Sequence, residues 1–536
     1  MTRLGFLLDS DSCIGCHACT VACKSEHDVP LGVNRTWVKY IETGTFPDVS
    51  RKFNVMRCNQ CDDAPCMTIC PTSALFRADN GVVDFQDDDC IGCKSCMNAC
   101  PYDALYINPE TNTAHKCNMC NHRLEVGLEP SCQIVCPTEA IKIGDLDDPT
   151  SEISRIIARD DVAVRAPEQN TRPKVYYRGA DQASLDPTRT AIANDGMIWA
   201  DTLKLGAADN VSGARHPSVP VQLGKKPTDE EGVVARTAYT TSHQMTWKEK
   251  VSGYLVTKAI AAGVMLVAAL QVLLGNADSD RTEVVDGIEL TRDGVSNAVG
   301  LVPAVIAGVF LAITGVLLVA DLKQPGRFYY LITKGNWNSW LVKGAYVLMA
   351  FTAVCVLWGI GGLLNAGGLL KVLAIPAVLG ALGTAGYTAL LFGQCEGRDL
   401  WQTPLLLPTL LAQAVTAGGA TWLIMDLVMD VPDSTAVQWT FLGGLVATGV
   451  LIAMELTSAG SRHVELAIHE MTKGAYKQKF LIGVVVGILI PAVIAIVGLV
   501  AGDFTLIFAV AGVIALVGMW FYEDSFVRAG QSVPLS

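Results

Sequence analysis

Between residues 251 and 521 the chain passes through eight apolar stretches of about 18 to 24 residues, near 251–274, 298–320, 341–364, 372–393, 405–427, 437–454, 480–501 and 504–521. Each is close to the roughly 20 residues that carry a helix across the hydrocarbon core of a bilayer. Inside lipid every backbone N–H and C=O must be satisfied within the protein, so long continuous apolar runs select helices. The second half is therefore expected to be an all-α membrane bundle of eight transmembrane helices. An even number of crossings returns the chain to its starting side.

The first 140 residues have the opposite character. Sixteen of the 18 cysteines lie between Cys13 and Cys136. They fall into four groups: Cys13, Cys16, Cys19, Cys23; Cys58, Cys61, Cys66, Cys70; Cys90, Cys93, Cys96, Cys100; and Cys117, Cys120, Cys132, Cys136. The first and third are spaced C-x2-C-x2-C-x3-C, the second C-x2-C-x4-C-x3-C and the fourth C-x2-C-x11-C-x3-C, and Pro71, Pro101 and Pro137 follow the last three. A short loop can wrap three thiolates round one face of a cubane, while the fourth cysteine, carried off on the next helical turn, serves a second cluster. Disulfides fit poorly, because four cysteines in eleven residues leave only very short loops to close. Zinc knuckles bring two ligands at a time from segments further apart. The expectation is an α+β, ferredoxin-like domain with four [4Fe-4S] clusters. His17, His27, His115 and His122 are read as packing or solvated side chains rather than ligands.

Charge narrows the partners. With 40 basic against 52 acidic residues the net charge is −12, and no nucleic-acid partner is expected. Residues 146–250 are polar and contain stretches such as "HPSVPVQLGKKPTDEEG". The expected division is a cluster domain over 1–145, a polar connector over 146–250, a membrane domain over 251–525 and a tail over 526–536. Loops on the side of the cluster domain hold twelve Lys and Arg residues against three on the other side, Arg281, Arg292 and Lys371. This bias, with no export signal visible at the start, places the multi-pass protein in the cell (inner) membrane with its cluster domain in the cytoplasm.

No span contains a histidine, since His463 and His469 fall between spans. Axial haem ligands are thus missing from the spans, and a haem-free subunit in which a quinone meets the last cluster is expected. Lys258 lies about seven residues, roughly 10 Å of helical rise, inside the first span. An ionisable group at that depth is costly and is a functional candidate. Asp321, Arg327, Glu396, Arg398, Asp399 and Glu455 fall at helix ends on the same side. Arg327 and Arg398 are read equally as membrane anchors or as quinone contacts. Asp426, near the far side, is read as a proton-relay group or an exposed helix end.

The cysteine groups, with "CNQCDDAPCMTICP", "KCNMC" and "CQIVCPTEAIKIGD", resemble the four-cluster iron-sulfur subunits of the molybdopterin oxidoreductase family, the dimethyl sulfoxide, polysulfide and tetrathionate reductases. The resemblance implies a ligand pairing: Cys13, Cys16, Cys19 with Cys136; Cys117, Cys120, Cys132 with Cys23; Cys58, Cys61, Cys66 with Cys100; Cys90, Cys93, Cys96 with Cys70. "DLKQPGRFYYLITKGNWNSWLVKGAY" and "FGQCEGRDLWQTP" resemble the NrfD/PsrC family of eight-helix, quinone-reactive membrane subunits. That resemblance implies a quinone headgroup (menaquinone or ubiquinone) under the cluster domain, with Tyr254 and Asp321 in the matching positions. Tyr254 stands where the family pattern has histidine, and Lys258 follows one turn later. Many relatives of this type carry the cluster domain on the periplasmic side.

Together these readings predict an electron-transfer and quinone-reactive subunit whose catalytic molybdopterin (Mo or W) subunit is a different polypeptide. Its own quinone-site groups would be Tyr254, Lys258, Asp321, Arg327 and Arg398, with protons exchanged at Glu455. The alternatives are a redox-driven proton-translocating module and a cluster-containing assembly or sensory scaffold.

Overall fold

A computed structural model describes residues 2–192, 235–241, 244–275, 278–285, 288–458, 460–501 and 505–536. In the amino-terminal part, "LGFLLD" makes the buried strand Leu4–Asp9, whose Phe6 is fully enclosed. It pairs antiparallel with Ile141–Asp145 and parallel with Val175–Arg178, which pairs in turn with Val162–Ala163. A second sheet joins Thr36–Thr45 to Asp48–Arg57 and to Ala235–Tyr239, and the last of these to Ala191–Ile192. Two equivalent units fill the centre: the short helices Pro65–Ile69 and Ser95–Ala99, each followed by a two-stranded hairpin, Leu75–Arg77 with Val83–Phe85 and Leu105–Ile107 with Ala114–Lys116. This is a ferredoxin-type α+β domain.

The boundary expected at residue 145 is corrected by this pairing. Val175–Arg178 and Ala235–Tyr239 are strands of the domain's two sheets, and helix Glu152–Arg159 buries Ile153 and Ile156 beside Leu7. The described parts of 146–250 thus complete the cluster domain. Much of the remaining expected connector, 193–234, lies outside the described residues. Strands of two to five residues with partners far away in the chain leave no periodic run to read.

Among the described residues eight helices are long and apolar enough to cross a membrane: α1 Glu249–Leu273, α2 Val302–Asp321, α3 Trp340–Leu363, α4 Gly367–Gly393, α5 Leu406–Met425, α6 Ser434–Thr457, α7 Lys477–Val500 and α8 Thr505–Ser532. The protein is an integral, multi-pass membrane protein. In α1, 83% of the most apolar window is buried, against 28% in α2, which makes α1 the axis of the bundle. It crosses α5 with backbones in contact: a Cβ on Gly263 would stand 2.0 Å from the Ala414 carbonyl oxygen. Such close crossings are how membrane helices gain packing without a hydrophobic drive between them. Val305, Val309 and Val316 of α2 and Val493 and Val497 of α7 point outward, as a lipid-facing surface requires. Ile482–Leu489 of α7 is π-helical.

The expected tail at 526–536 is also corrected. Helix α8 runs on to Ser532, past the apparent end of its apolar run at 521, and Phe526, Val527, Ala529 and Gln531 are buried. The apolar run ends there because the helix enters the seam between the two halves of the molecule.

Candidate cluster-to-membrane site

None of the 18 cysteines is joined in a disulfide. The turn inside "CIGC" needs a left-handed residue, supplied by Gly15 (φ 71°) and Gly92 (φ 66°). The turns bring separate groups together in space. Burial, then the neighbouring Cys58, raises the Cys61 thiol to about 12, with Cys100 adding to it. Burial likewise raises Cys19 to about 11, opposed by Arg57 and reinforced by Cys132 and Cys13. Cys13 feels Cys136 and Cys16, and Cys23 feels Cys117, Cys132 and Cys120. Cys96, pushed well above its ordinary value by burial, faces Cys93, Cys90, Cys70 and Cys66.

One small cavity is lined by Cys70, Cys90, Cys93 and Cys96 together. Buried thiols crowded in this way are an unfavourable arrangement unless cations replace their protons, so the donor set fits iron-sulfur clusters. Among the described residues no three His, Cys, Asp or Glu side chains converge as a single-ion site. A lone zinc draws its thiolates to about 2.3 Å, whereas a cubane holds its four sulfur ligands further apart. Arg57, fully buried, donates from Nη1 to Cys132 Sγ at 3.3 Å and stacks on Phe6.

The membrane half docks on the second and third cysteine groups. Beyond α2, Lys323 N donates to Gly92 O at 3.2 Å and Gln324 N to Ile91 O at 3.1 Å. Before α3, Asn336 Nδ2 donates to Cys70 O at 3.0 Å and Ser339 Oγ to Ile69 O at 2.7 Å. Trp247, just ahead of α1, donates from Nε1 to Cys93 O at 3.2 Å and stacks on Phe392 and Trp401. Gly397 lies so close that a Cβ there would stand 2.6 Å from Cys100 O. The Cys90–Cys100 loop is therefore held directly over the bundle.

Between that loop and the bundle lies a cavity of about 390 Å³, lined by residues that include Lys94, Met97, Thr246, Lys248, Lys250 and Asp321. Its volume falls within the range of small-molecule sites. Lys94, which sits between two cysteines of the third group, has its ammonium 2.8 Å from the Asp321 carboxylate. Lys323 also lines the cavity, and burial, then the Lys94 charge, pulls its ammonium below the ordinary lysine value, against the opposing pull of Asp321.

Of the residues expected at a quinone site, Asp321 lines this cavity; Tyr254 and Lys258 are buried deeper in α1. Lys258 Nζ donates to Thr388 Oγ1 and, at 3.0 Å, to Ala385 O of α4. Arg327 and Arg398 make other contacts. Arg327 Nη1 donates to Asp87 O at 2.6 Å and Cys90 O at 2.9 Å, and Arg398 Nη1 to Gln531 O and Val533 O. Both sit at the seam, where a guanidinium can gather several carbonyls. Glu455 is buried in α6 beside Tyr522. Asp426 accepts from Ser434 Oγ at 2.9 Å and so ties the turn into α6. His463 and His469 lie on helix Arg462–Thr472.

Two residues were not anticipated. Lys94 was hidden inside a cysteine motif, although a charge between two ligands is itself a signal. Glu523 of α8, 3% exposed, accepts from Gln413 Nε2 at 2.6 Å. It lies two residues beyond the apolar run, in "FYEDSFVRAGQS", which continues without a helix breaker other than Gly530.

Comparison with known proteins follows the same division. The family model described as 4Fe-4S dicluster domain matches residues 49–146, and the model described as Polysulphide reductase, NrfD matches residues 238–534. A tetrathionate reductase subunit of Salmonella typhimurium is 42% identical over 189 residues, 34% of this chain and 76% of the relative. Protein NrfC of Escherichia coli is 44% identical over 177 residues, 32% of this chain and 79% of the relative. A polysulfide reductase polypeptide of Wolinella succinogenes is 40% identical over 177 residues, 32% of this chain and 93% of the relative.

Proposed function

This chain belongs to the polysulphide reductase NrfD family and carries a 4Fe-4S dicluster domain on the same polypeptide, and from that premise we propose that it passes electrons between a separate catalytic subunit and a membrane quinone through four [4Fe-4S] clusters. The observation that carries the reading is the cavity that Lys94 of the third cysteine loop and Asp321 of α2 line together. Bound clusters supply one-electron transfer, and a quinone supplies paired electron and proton chemistry at the membrane.

The sixteen cysteines are the proposed cluster ligands, paired as the family resemblance implies. Support for that pairing comes from the shared cavity of Cys70, Cys90, Cys93 and Cys96 and from the approach of Cys61 and Cys66 to Cys100. Trp247 and the backbone of Ile91 and Gly92 hold the nearest loop against α1 and α2, which keeps the transfer distance short. Asp321, which lines the cavity, would exchange a proton at a headgroup carbonyl. Lys94 keeps that carboxylate oriented into the cavity and supplies positive charge beside the loop where electrons collect.

The catalytic partner is proposed to be a molybdopterin subunit holding molybdenum or tungsten. The relatives are named as parts of tetrathionate and polysulfide reductases, which fits a polypeptide that conducts rather than converts substrate. Fusion of the two modules fixes their ratio at one to one.

A photoreactive quinone analogue, applied to the complex in lipid, tests the site. Labelling should fall within 94–97, 244–250 or 320–323 and be suppressed by excess menaquinone. Labelling confined to the lipid-facing side of α2 and α7 would contradict it.

A further inference from the structure

Below the cavity the bundle contains a line of buried polar side chains that electron transfer alone does not explain. The Tyr254 phenol lies within electrostatic reach of Asp321 and beside Thr388. The same Thr388 hydroxyl accepts from Lys258 Nζ, whose ammonium also lies 4.8 Å from the Tyr387 ring centroid. The carboxylate whose charge reaches Lys258 is Glu523 of α8, held by Gln413 of α5. Glu523 in turn lies within electrostatic reach of Glu455 of α6, which accepts from the hydroxyl of the adjacent Tyr522 at 3.3 Å.

Five helices contribute to this line, and Tyr254, Lys258, Glu523 and Glu455 are each less than 5% exposed. Burying a single ionisable group in a membrane is costly, and burying three within reach of one another has no packing rationale. One atom is left over: Glu455 Oε1 has no hydrogen-bond partner. Beside Tyr522 is a cavity of about 10 Å³, lined also by Gln413, Thr416 and Thr448, with room for about one water molecule. Gly483 and Gly487, from the π-helical part of α7, form its far wall. Interruptions of this kind in a helix recur at functional sites.

The line also has a direction. Glu455 lies two residues from Thr457, the end of α6. The segment that follows returns to the cluster-domain side, where Ser461 Oγ donates to Asp399 at 2.6 Å and Arg462 Nε to Thr188 O at 3.4 Å.

We propose that Lys258, Glu523 and Glu455 form a proton conduit that connects the Asp321 cavity, through Tyr254 and Thr388, with the membrane face on the cluster-domain side. The proposal rests on the quinone reading of the cavity. Oxidation of a hydroquinone breaks two O–H bonds. Its two electrons leave one at a time through the cysteine loop, and its two protons enter at Asp321 and leave at Glu455. Reduction of a quinone runs each transfer backwards, with electrons supplied by the catalytic partner. Protons and electrons then use the same side of the bilayer, and this route moves no net charge across it.

The test uses the complete complex in liposomes with the E523Q and E455Q variants. Cluster spectra after dithionite reduction and quinone-analogue labelling report folding and binding. The expected result is that both stay normal, while quinol-driven cluster reduction slows at least tenfold in each variant and its solvent deuterium isotope effect changes. In the unmodified complex a pH-sensitive dye should register protons on the cluster-domain side. Unchanged rates and isotope effects in both variants, or protons released on the opposite side, would overturn the conduit. Absence of any quinol-driven reduction in the unmodified complex would instead overturn the quinone reading itself.

Discussion

The Lys94 ammonium stands 2.8 Å from the Asp321 carboxylate, and this ion pair joins a cysteine loop of the soluble half to a helix end of the membrane half. Both partners are largely withdrawn from water, at 7% and 17% side-chain exposure, so the pair is held in a fixed geometry rather than loosely screened.

Replacing Asp321 with Asn should remove the proton-exchanging group while leaving the shape of the cavity. Quinol-driven cluster reduction is expected to fall about 100-fold, the size typical of losing a general acid-base group. K94M should produce a smaller loss of about tenfold, since it disorients the carboxylate without removing it. Stopped-flow absorbance of the clusters measures both, and dithionite-reduced spectra should be unaltered in D321N.

Arg57 places a buried positive charge against Cys132 Sγ. In R57M that charge is lost and adding an electron nearby becomes less favourable. The potential of the cluster assigned to Cys117, Cys120, Cys132 and Cys23 should drop by on the order of 50 mV and that of the cluster assigned to Cys13, Cys16, Cys19 and Cys136 by less, while the cluster assigned to Cys70, Cys90, Cys93 and Cys96 changes little. Redox titration monitored by electron paramagnetic resonance distinguishes them.

Removal of iron should unfold the amino-terminal half selectively. Its core is built round the cysteines, with Cys58, Cys61, Cys66, Cys70, Cys96 and Cys100 all buried, and thiol crowding opposes folding without metal. After anaerobic chelation, limited proteolysis should cut before residue 180, and the eight membrane helices should persist by circular dichroism.

Arg165 ties the end of the polypeptide to the cluster domain. Its Nη2 donates to Leu535 O at 2.6 Å, and the guanidinium stacks over Tyr102. R165A should lower stability by about 1 to 3 kcal/mol, seen as earlier thermal release of the cluster signal. A larger loss is expected when residues 533–536 are deleted, because that change also removes the Val533 carbonyl that accepts from Arg398 Nη1.

The features legible in the sequence were those with a short repeat. Three thiols in seven residues, followed by a fourth one turn later, announce cluster loops, and an apolar run of about 20 residues announces a span, because each signal lies within a few turns of backbone. Asp321 and Lys258 drew attention by the same logic, as charges where few should be. Pairings between distant segments were hidden. Nothing in "VYYR" at 175–178 indicates that it lies parallel to Leu4–Asp9, and nothing in Lys94 indicates an acid more than 200 residues away. Glu523 was missed because hydropathy ends a helix where apolar residues end, whereas α8 continues into a seam that buries polar side chains.

The most direct measurement is rapid mixing of the anaerobic, oxidised complex with a menaquinol analogue, following cluster absorbance and electron paramagnetic resonance together. The account predicts reduction that begins with the cluster assigned to Cys70, Cys90, Cys93 and Cys96 and is abolished by C96S. Quinol-driven reduction that proceeds unchanged without that cluster, or begins with the cluster assigned to Cys13, Cys16, Cys19 and Cys136, would contradict it.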